Sequence, residues 1–218
     1  MTDTTPAGLE HLLQRSGLFA DHLWALALRF GPRRADLRSR TAAAACELSL
    51  EHGQALQILL SHSTWNAACA LLRVQYEALL RAAWILYAAS DREAQRIASE
   101  LTPDAQRAAS AKLMLEELEA ALGTQPGLAG LVMPLQQIRA VSWQAMNSFV
   151  HAGLHPLRRK EVGFPAQLAD QVLRNSNGMI FLAVRLLYRL GEGPSIPPQQ
   201  VERAYVGFEG CLPMSGQG

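Results

Sequence analysis

Leucine and alanine make up about a third of this 218-residue chain, with 35 and 34 copies, whereas valine, isoleucine and threonine together number only 22. Leucine and alanine are strong helix formers, while β-branched residues favour strands. The imbalance predicts an all-α fold and disfavours the alternating strands and helices of a Rossmann fold or a TIM barrel. An apolar content of 49% with a net charge of +1 is sufficient for a buried core, which excludes disordered, collagen-like and disulfide-rich classes.

Proline, glycine and polar clusters divide the chain into six to eight predicted helices. These are expected at about 6–30, 40–61, 64–89, 91–100, 103–123, 134–152, 166–190 and 198–209, with a short helical stretch between Gly127 and Pro134. Gly153 is predicted to be a left-handed helix cap, and residues 154–165 a basic loop. Because no repeat or long linker interrupts the pattern, we expect a single up-and-down-type helical bundle over residues 1–210 and a flexible C-terminal tail at 211–218.

The three cysteines show no metal-ligand spacing, and we expect neither a metal centre nor a cofactor. Cys46 and Cys69 lie in apolar helical stretches and are predicted to be buried thiols. The first residues lack the basic and apolar segments of a signal peptide, and no uncharged apolar run approaches the ~18 residues that span a bilayer. We therefore expect a cytoplasmic protein with no membrane segment.

The predicted helix at 64–89 is apolar on nearly every side but carries three charges, Arg73, Glu77 and Arg81, spaced four residues apart. This spacing places them on one helix face, in the same quadrant as Trp84. One interpretation is an ion-pair ladder that fixes the neighbouring helices. The other is a site for an anion, because two arginines around one carboxylate leave an excess positive charge.

A second polar stripe lies on the predicted helix at 134–152 and consists of Arg139, Trp143, Asn147 and His151. His151 is either an imidazole favoured by the dipole at a helix C-terminus or a general base and phosphate ligand. Asn147, one turn earlier, would orient His151 or a bound phosphate. We name the two stripes together the polar seam. Trp84 and Trp143 are expected either in the core or at the wall of the seam.

Several other polar groups have simpler interpretations. His155 and the basic run 158–160 follow His151, and they either extend an anion-binding surface or form an ordinary solvated loop. The acidic run from Glu116 to Glu119 is predicted to be a solvated face, and the remaining tryptophans, Trp24 and Trp65, to lie in the core. The motifs of serine hydrolases, P-loop nucleotide-binding proteins, dinucleotide-binding folds and zinc proteases are all absent from the sequence.

The Asn147-x-x-x-His151 motif at a helix end, together with Arg73-x-x-Tyr76-Glu77-x-x-x-Arg81-Ala82-x-Trp84, resembles the HEPN superfamily and related bacterial domains over about residues 64–155. The resemblance implies a helical bundle, a homodimer, and a role in toxin–antitoxin, abortive-infection or CRISPR-associated defence. Many HEPN ribonucleases carry Arg-Asn-x-x-x-His. In this chain Met146 occupies the arginine position, and methionine neither binds phosphate nor stabilises an oxyanion.

Three functions are consistent with these features. The first is a HEPN-like protein that binds a nucleotide or RNA phosphate at the seam without catalysis, since Met146 replaces the arginine. The second is a metal-independent ribonuclease in which His151 is the base, Asn147 orients it, and Arg73 or Arg81 supplies the cation. The third is an interaction or scaffold protein whose seam is purely structural.

Overall fold

The computed structural model describes residues 6–99, 102–103, 114–193 and 195–213. Within these ranges the chain is helical and contains no β-strand, which confirms the all-α prediction. The helices are α1 Pro6–Ala27, α2 Leu37–Ser61, α3 Trp65–Tyr87, α4 Asp91–Ile97, α5 Leu115–Gly123, α6 Ala129–Val150, α7 Leu154–Val162, α8 Ala166–Arg189 and α9 Pro198–Glu202, followed by a 3-10 turn at Glu209–Cys211.

Helices α2, α3 and α8 form the centre of the bundle, and α1, α5 and α6 pack around them. Apolar side chains around most of the circumference of α3 are buried, including Leu72, Leu79 and Ile85, as its composition predicts. Cys46 and Cys69 are also buried, as predicted. None of the described helices combines the length and apolarity needed to cross a membrane.

A buried polar junction joins the three central helices. The Gln75 side chain of α3 is fully buried, donates to the Ser176 carbonyl at 3.2 Å and accepts from the Ser176 hydroxyl at 2.8 Å. Gly53 of α2 lies directly against this pair, because a Cβ there would stand 2.7 Å from Gln75 Nε2 and 2.9 Å from Ile180 Cγ1. The absence of a side chain at Gly53 lets α2 approach α3 and α8 closely.

The segment after His151 differs from its prediction as a basic loop, because residues 154–162 form α7. Pro156 is tolerated in the first turn of α7, where backbone N–H groups need no helical partner. The predicted left-handed cap at Gly153 is also wrong. Ala152 takes the positive φ of 50°, and Gly153 is instead required for a close approach, since a Cβ there would lie 2.7 Å from Ser148 Oγ.

Helix α6 begins at Ala129, ahead of Pro134, which was expected to start it. Proline inside a helix leaves the carbonyl four residues earlier without its usual donor. That carbonyl belongs to Gly130, and the Arg185 guanidinium of α8 donates to it at 3.2 Å. A tertiary contact thus replaces the missing bond and allows one continuous helix.

Other predictions have mixed outcomes. Trp24 was expected in the core, but its position on the outer side of α1 leaves it 56% exposed, whereas Trp84 is buried. The start of the helix predicted at 103–123 lies largely outside the described residues. The domain limits remain a prediction; Cys211, the first residue of the expected tail, is buried, and its carbonyl accepts from Asn177 Nδ2 at 2.9 Å.

We predict opposite effects for alanine at two helical glycines. Gly53→Ala should lower the free energy of unfolding by about 1–3 kcal/mol, because the new methyl group overpacks the junction. Gly17→Ala meets no atom within 4 Å in α1 and should raise it by up to about 1 kcal/mol through reduced chain entropy. Urea unfolding of both variants checks this. Equal stabilisation by both would contradict the close approach at Gly53.

Candidate functional site: the polar seam

Helices α3 and α6 lie side by side and bring the two predicted stripes together. Arg73 Nη1 of α3 lies 3.2 Å from Nε2 of His151, the residue that caps α6. The Arg73 guanidinium carbon also lies 4.9 Å from the centre of the Trp143 ring. The two stripes therefore meet in one cluster, even though the residues in contact are about 70 positions apart in the chain.

Arg73 is held from two sides. Its Nε donates to Glu77 Oε1 at 2.6 Å, one turn along α3, while Nη1 points to His151. A guanidinium has only donors, so Nε2 of His151 must accept this bond.

Arg139 occupies the other end of the seam and binds two carboxylates of α5. It pairs with Glu119 through Nη1 and with Glu116 through Nη2, and its guanidinium carbon lies 5.1 Å from the Trp143 ring centre. Desolvation alone would lower the pKa of Arg139, but the bond to Glu119 and the charges of both glutamates outweigh it and raise the pKa. Trp143 is thus in contact with both arginines of the seam.

Glu119 is a buried carboxylate with both oxygens engaged. Oε1 accepts from the Tyr76 hydroxyl of α3, and Oε2 accepts from Arg139 of α6. Burial, reinforced by this bond to Glu119, raises the pKa of Tyr76. The acidic run was predicted to be a solvated face, and at Glu119 that prediction is wrong because the side chain links three helices in the interior.

Three residues assigned to the seam from the sequence lie apart from its polar contacts. Arg81 is exposed and makes no ion pair with any residue that the structure describes, so Glu77 is not placed between two arginines. Trp84 is buried in the core, out of reach of a ligand. His155 lies on α7, where its backbone N–H donates to Ser148 Oγ at 3.0 Å and its ring packs near Phe149.

The structure places Asn147 and Met146, at the start of the Asn147-x-x-x-His151 motif, in different surroundings from His151. The backbone carbonyl of Asn147 accepts from the His151 N–H at 3.1 Å, but its side-chain oxygen is buried and finds no donor among the described residues. Met146, in the arginine position, is only 2% exposed and belongs to the core. Position 146 faces the interior. The cation beside His151 is Arg73, which belongs to a different helix, α3.

The seam is open to solvent on one side. A shallow pocket of about 460 Å³ is lined by Glu119, Gln136, Arg139, Val141, Trp143 and Gln144, among others. Nowhere in the described ranges do three His, Cys, Asp or Glu side chains gather in a way that would hold a metal ion. The sequence interpretation missed Tyr76, Glu116 and Glu119. The i, i+3 spacing of the two glutamates was the available signal, since it places both on one helix face.

Glu119→Ala should lower the free energy of unfolding by about 3 kcal/mol. It removes the acceptor of the Tyr76 hydroxyl and one of the two carboxylates that pair with Arg139. Glu10→Ala, at an exposed position of α1, is the matched control and should change it by less than about 0.5 kcal/mol. Chemical denaturation measures both. Similar small losses in the two variants would mean that the network contributes nothing to folding.

Comparison with protein families gives one match. Residues 46–214, which include every residue of the seam, match the model of a family of unknown function, DUF6988. No curated protein and no solved structure matches the chain. Since the match covers more than half of the chain, this protein belongs to the DUF6988 family.

Proposed function

We propose that this chain is a cytoplasmic, HEPN-like helical protein that binds a phosphate group of RNA or of a nucleotide where Arg73 meets His151. The observation that carries the proposal is the 3.2 Å contact between these two side chains from different helices. The resemblance implies an arginine beside the histidine. In this chain Arg73 of α3 would take the role of the arginine that Met146 replaces.

The free donors of the pair suit a phosphate. Arg73 uses Nε for Glu77 and Nη1 for His151, while Nη2 donates to none of the residues that the structure describes. His151 is exposed at the end of α6. A guanidinium fork beside an accessible imidazole matches the oxygens of a phosphate, and arginine is favoured for this planar recognition.

Charge balance limits the expected affinity. Two arginines of the seam, Arg73 and Arg139, face three carboxylates, Glu77, Glu116 and Glu119, so the seam has no excess positive charge. Arg139 is fully engaged by its two partners, which leaves Arg73 as the cation that a ligand would share with Glu77. Positive charge from α7, which follows His151 directly, adds longer-range attraction. We therefore expect moderate, salt-sensitive binding.

Trp143 and its pocket provide a place for a base. The ring is half-buried and borders the 460 Å³ pocket, together with the Gln136 and Gln144 side chains. Stacking of a base on an aromatic ring contributes about 1–3 kcal/mol without strong sequence preference. A single-stranded RNA segment with its phosphate at Arg73 and a base against Trp143 fits this arrangement.

The ribonuclease alternative is favoured by the same contact, because it presents Nε2 of His151 as an acceptor, which is the role of a general base. A 2′-hydroxyl would replace Arg73 as the partner of Nε2 and transfer its proton there. The 2′-oxygen would then bond to phosphorus, the bond from phosphorus to the 5′-oxygen would break, and the imidazolium would return its proton to that oxygen. Arg73 would neutralise the charge on the phosphorus oxygens. The scaffold alternative is favoured by the complete pairing of Arg139.

A binding experiment tests the proposal. Labelled single-stranded RNA should bind the wild-type protein at low salt, and Arg73→Gln should weaken it about tenfold, the effect of losing one charge-assisted hydrogen bond. Arg81→Gln is the matched control, since it removes an exposed charge from the same helix outside the seam. Fluorescence anisotropy measures both. Equal effects of the two variants, or no binding by the wild type, would support the scaffold alternative.

Two further variants separate binding, stability and catalysis. Glu77→Gln removes the carboxylate that competes for Arg73 and should tighten RNA binding, whereas damage to the fold would weaken it. His151→Ala should abolish cleavage if the protein is a ribonuclease. Equal residual cleavage by wild type and His151→Ala would exclude the catalytic alternative without affecting the binding proposal.

We also propose that α7 mediates the homodimer that the resemblance implies. Its outward face carries Leu154, Leu157 and Val162, with Leu157 65% exposed, and it contributes no buried residue to the monomer. A two-fold axis across α7 would place Leu157 opposite Val162 of the second copy. Arg158 and Glu161, which pair at 2.7 Å within the helix, would lie beside this apolar contact and could exchange partners across it. The second copy is therefore the occupant that these apolar and charged positions fit.

Leu157→Glu should convert a dimer to a monomer, because it places a carboxylate in the apolar centre of this contact. Leu28→Glu, at an exposed leucine just beyond α1, is the control and should leave the dimer unchanged. Sedimentation equilibrium measures the mass of each. A wild-type monomer, or a dimer that Leu157→Glu leaves intact, would contradict the α7 interface.

A further inference from the structure

A second cluster of arginines lies away from the seam, where the end of α8 meets the start of α6. Three guanidinium groups, those of Arg34, Arg185 and Arg189, line a pocket of about 480 Å³, and Glu202 of α9 is the one carboxylate among the described residues of its wall. None of these residues belongs to the polar seam or to the resemblance that pointed to it. The pocket is therefore independent of the function proposed above.

Backbone contacts hold the three arginines in place. Arg185 and Arg189 are one turn apart on α8 and share a face. Arg34 lies in the loop before α2, and its backbone N–H donates to the Leu190 carbonyl at 3.0 Å while its side chain donates to the Arg189 carbonyl. These contacts bring together cations that start about 150 residues apart.

Positive charge exceeds negative charge in the pocket. Glu202 lies 2.6 Å from Arg185 and 4.0 Å from Arg189, so one carboxylate faces three guanidinium groups and a charge of +2 remains. Nε of Arg185 is buried and has no acceptor among the described residues. A buried donor without a partner is costly, and arginines this close repel one another. An anion held between the guanidinium groups would relieve this repulsion.

The rest of the pocket wall is apolar and aromatic. Leu86, Leu131 and Leu182 are among the residues that line it, and Tyr87 lies beside the arginines. Burial raises the pKa of Tyr87, while the charges of Arg189, Arg34 and Arg185 oppose that rise. The pocket thus combines a strongly basic end with an apolar wall.

We propose that this pocket binds a phosphate monoester that carries a small apolar or aromatic group. A phosphate monoester has a charge of about −2 at neutral pH and three acceptor oxygens, which match the charge of +2 and the three guanidinium groups. A carboxylate would neutralise half of that charge. The leucines and Tyr87 would contact the organic group.

Phenyl phosphate is the probe, with phenylacetate as the carboxylate of similar size. Calorimetric titration at low salt should show binding of phenyl phosphate and at least tenfold weaker binding of phenylacetate. Arg189→Gln should weaken phenyl phosphate binding about tenfold, since it removes one charge-assisted contact. Arg189 suits this test because its side chain is 58% exposed and, among the described residues, pairs only with Glu202 at 4.0 Å, so we expect the substitution to leave the fold intact.

The direction in which Glu202→Gln changes the affinity for phenyl phosphate separates the two interpretations. The substitution removes the competing carboxylate and should tighten phenyl phosphate binding, whereas a purely structural role for the cluster would make it neutral or damaging. Arg40→Gln, an exposed arginine of α2 outside the pocket, is the charge-matched control and should have no effect. The proposal is overturned if the wild type does not bind phenyl phosphate, if Arg189→Gln behaves like Arg40→Gln, or if Arg73→Gln in the seam is the variant that abolishes binding.

Discussion

The seam depends on one buried carboxylate, Glu119. Its two oxygens accept from Tyr76 of α3 and from Arg139 of α6, so a single side chain of α5 ties two longer helices together. Burying this charge is favourable only because both oxygens have partners. Arg139 in turn lies over Trp143, and Trp143 contacts Arg73, which reaches His151. The contacts of Glu119, Tyr76, Arg139, Trp143, Arg73 and His151 thus form one continuous network.

The two arginine clusters of the molecule differ in how their charge is neutralised. In the seam, two arginines face three carboxylates, so the charges are largely paired and a ligand must compete with Glu77 for Arg73. In the pocket between α6 and α8, three arginines face Glu202 alone, and Nε of Arg185 has no described acceptor. Electrostatics therefore favours strong anion binding in the pocket and selective, weaker binding at the seam.

Arg185 shows how stability and binding share residues. It donates to the Gly130 carbonyl that Pro134 leaves without a helical donor, and it pairs with Glu202. The continuity of α6 and the charge of the pocket therefore depend on the same side chain. The Arg189 side chain, one turn later, makes no comparable bond to the residues that the structure describes, which is why its substitution is expected to separate binding from folding.

The sequence by itself determined the helical class, the central position of α3 and the two polar stripes, because these follow from residue propensity and from a period of 3.6 residues. That period also places Arg73 and Glu77, or Trp143 and His151, on one face. It does not show which helix lies opposite, so the roles of Tyr76 and Glu119 and the separation of Arg81 from the cluster were out of reach.

Only the tertiary structure decided the remaining points. The left-handed residue falls at Ala152 because Gly153 must approach Ser148, and α6 passes through Pro134 because Arg185 arrives from α8. The three arginines of the pocket come from segments with no common motif, so no sequence pattern predicts that they lie together. Local propensity acts over a few residues, whereas ion pairing and close packing join groups that are far apart in the chain. For that reason the helices were predictable and the partners of the charged side chains were not.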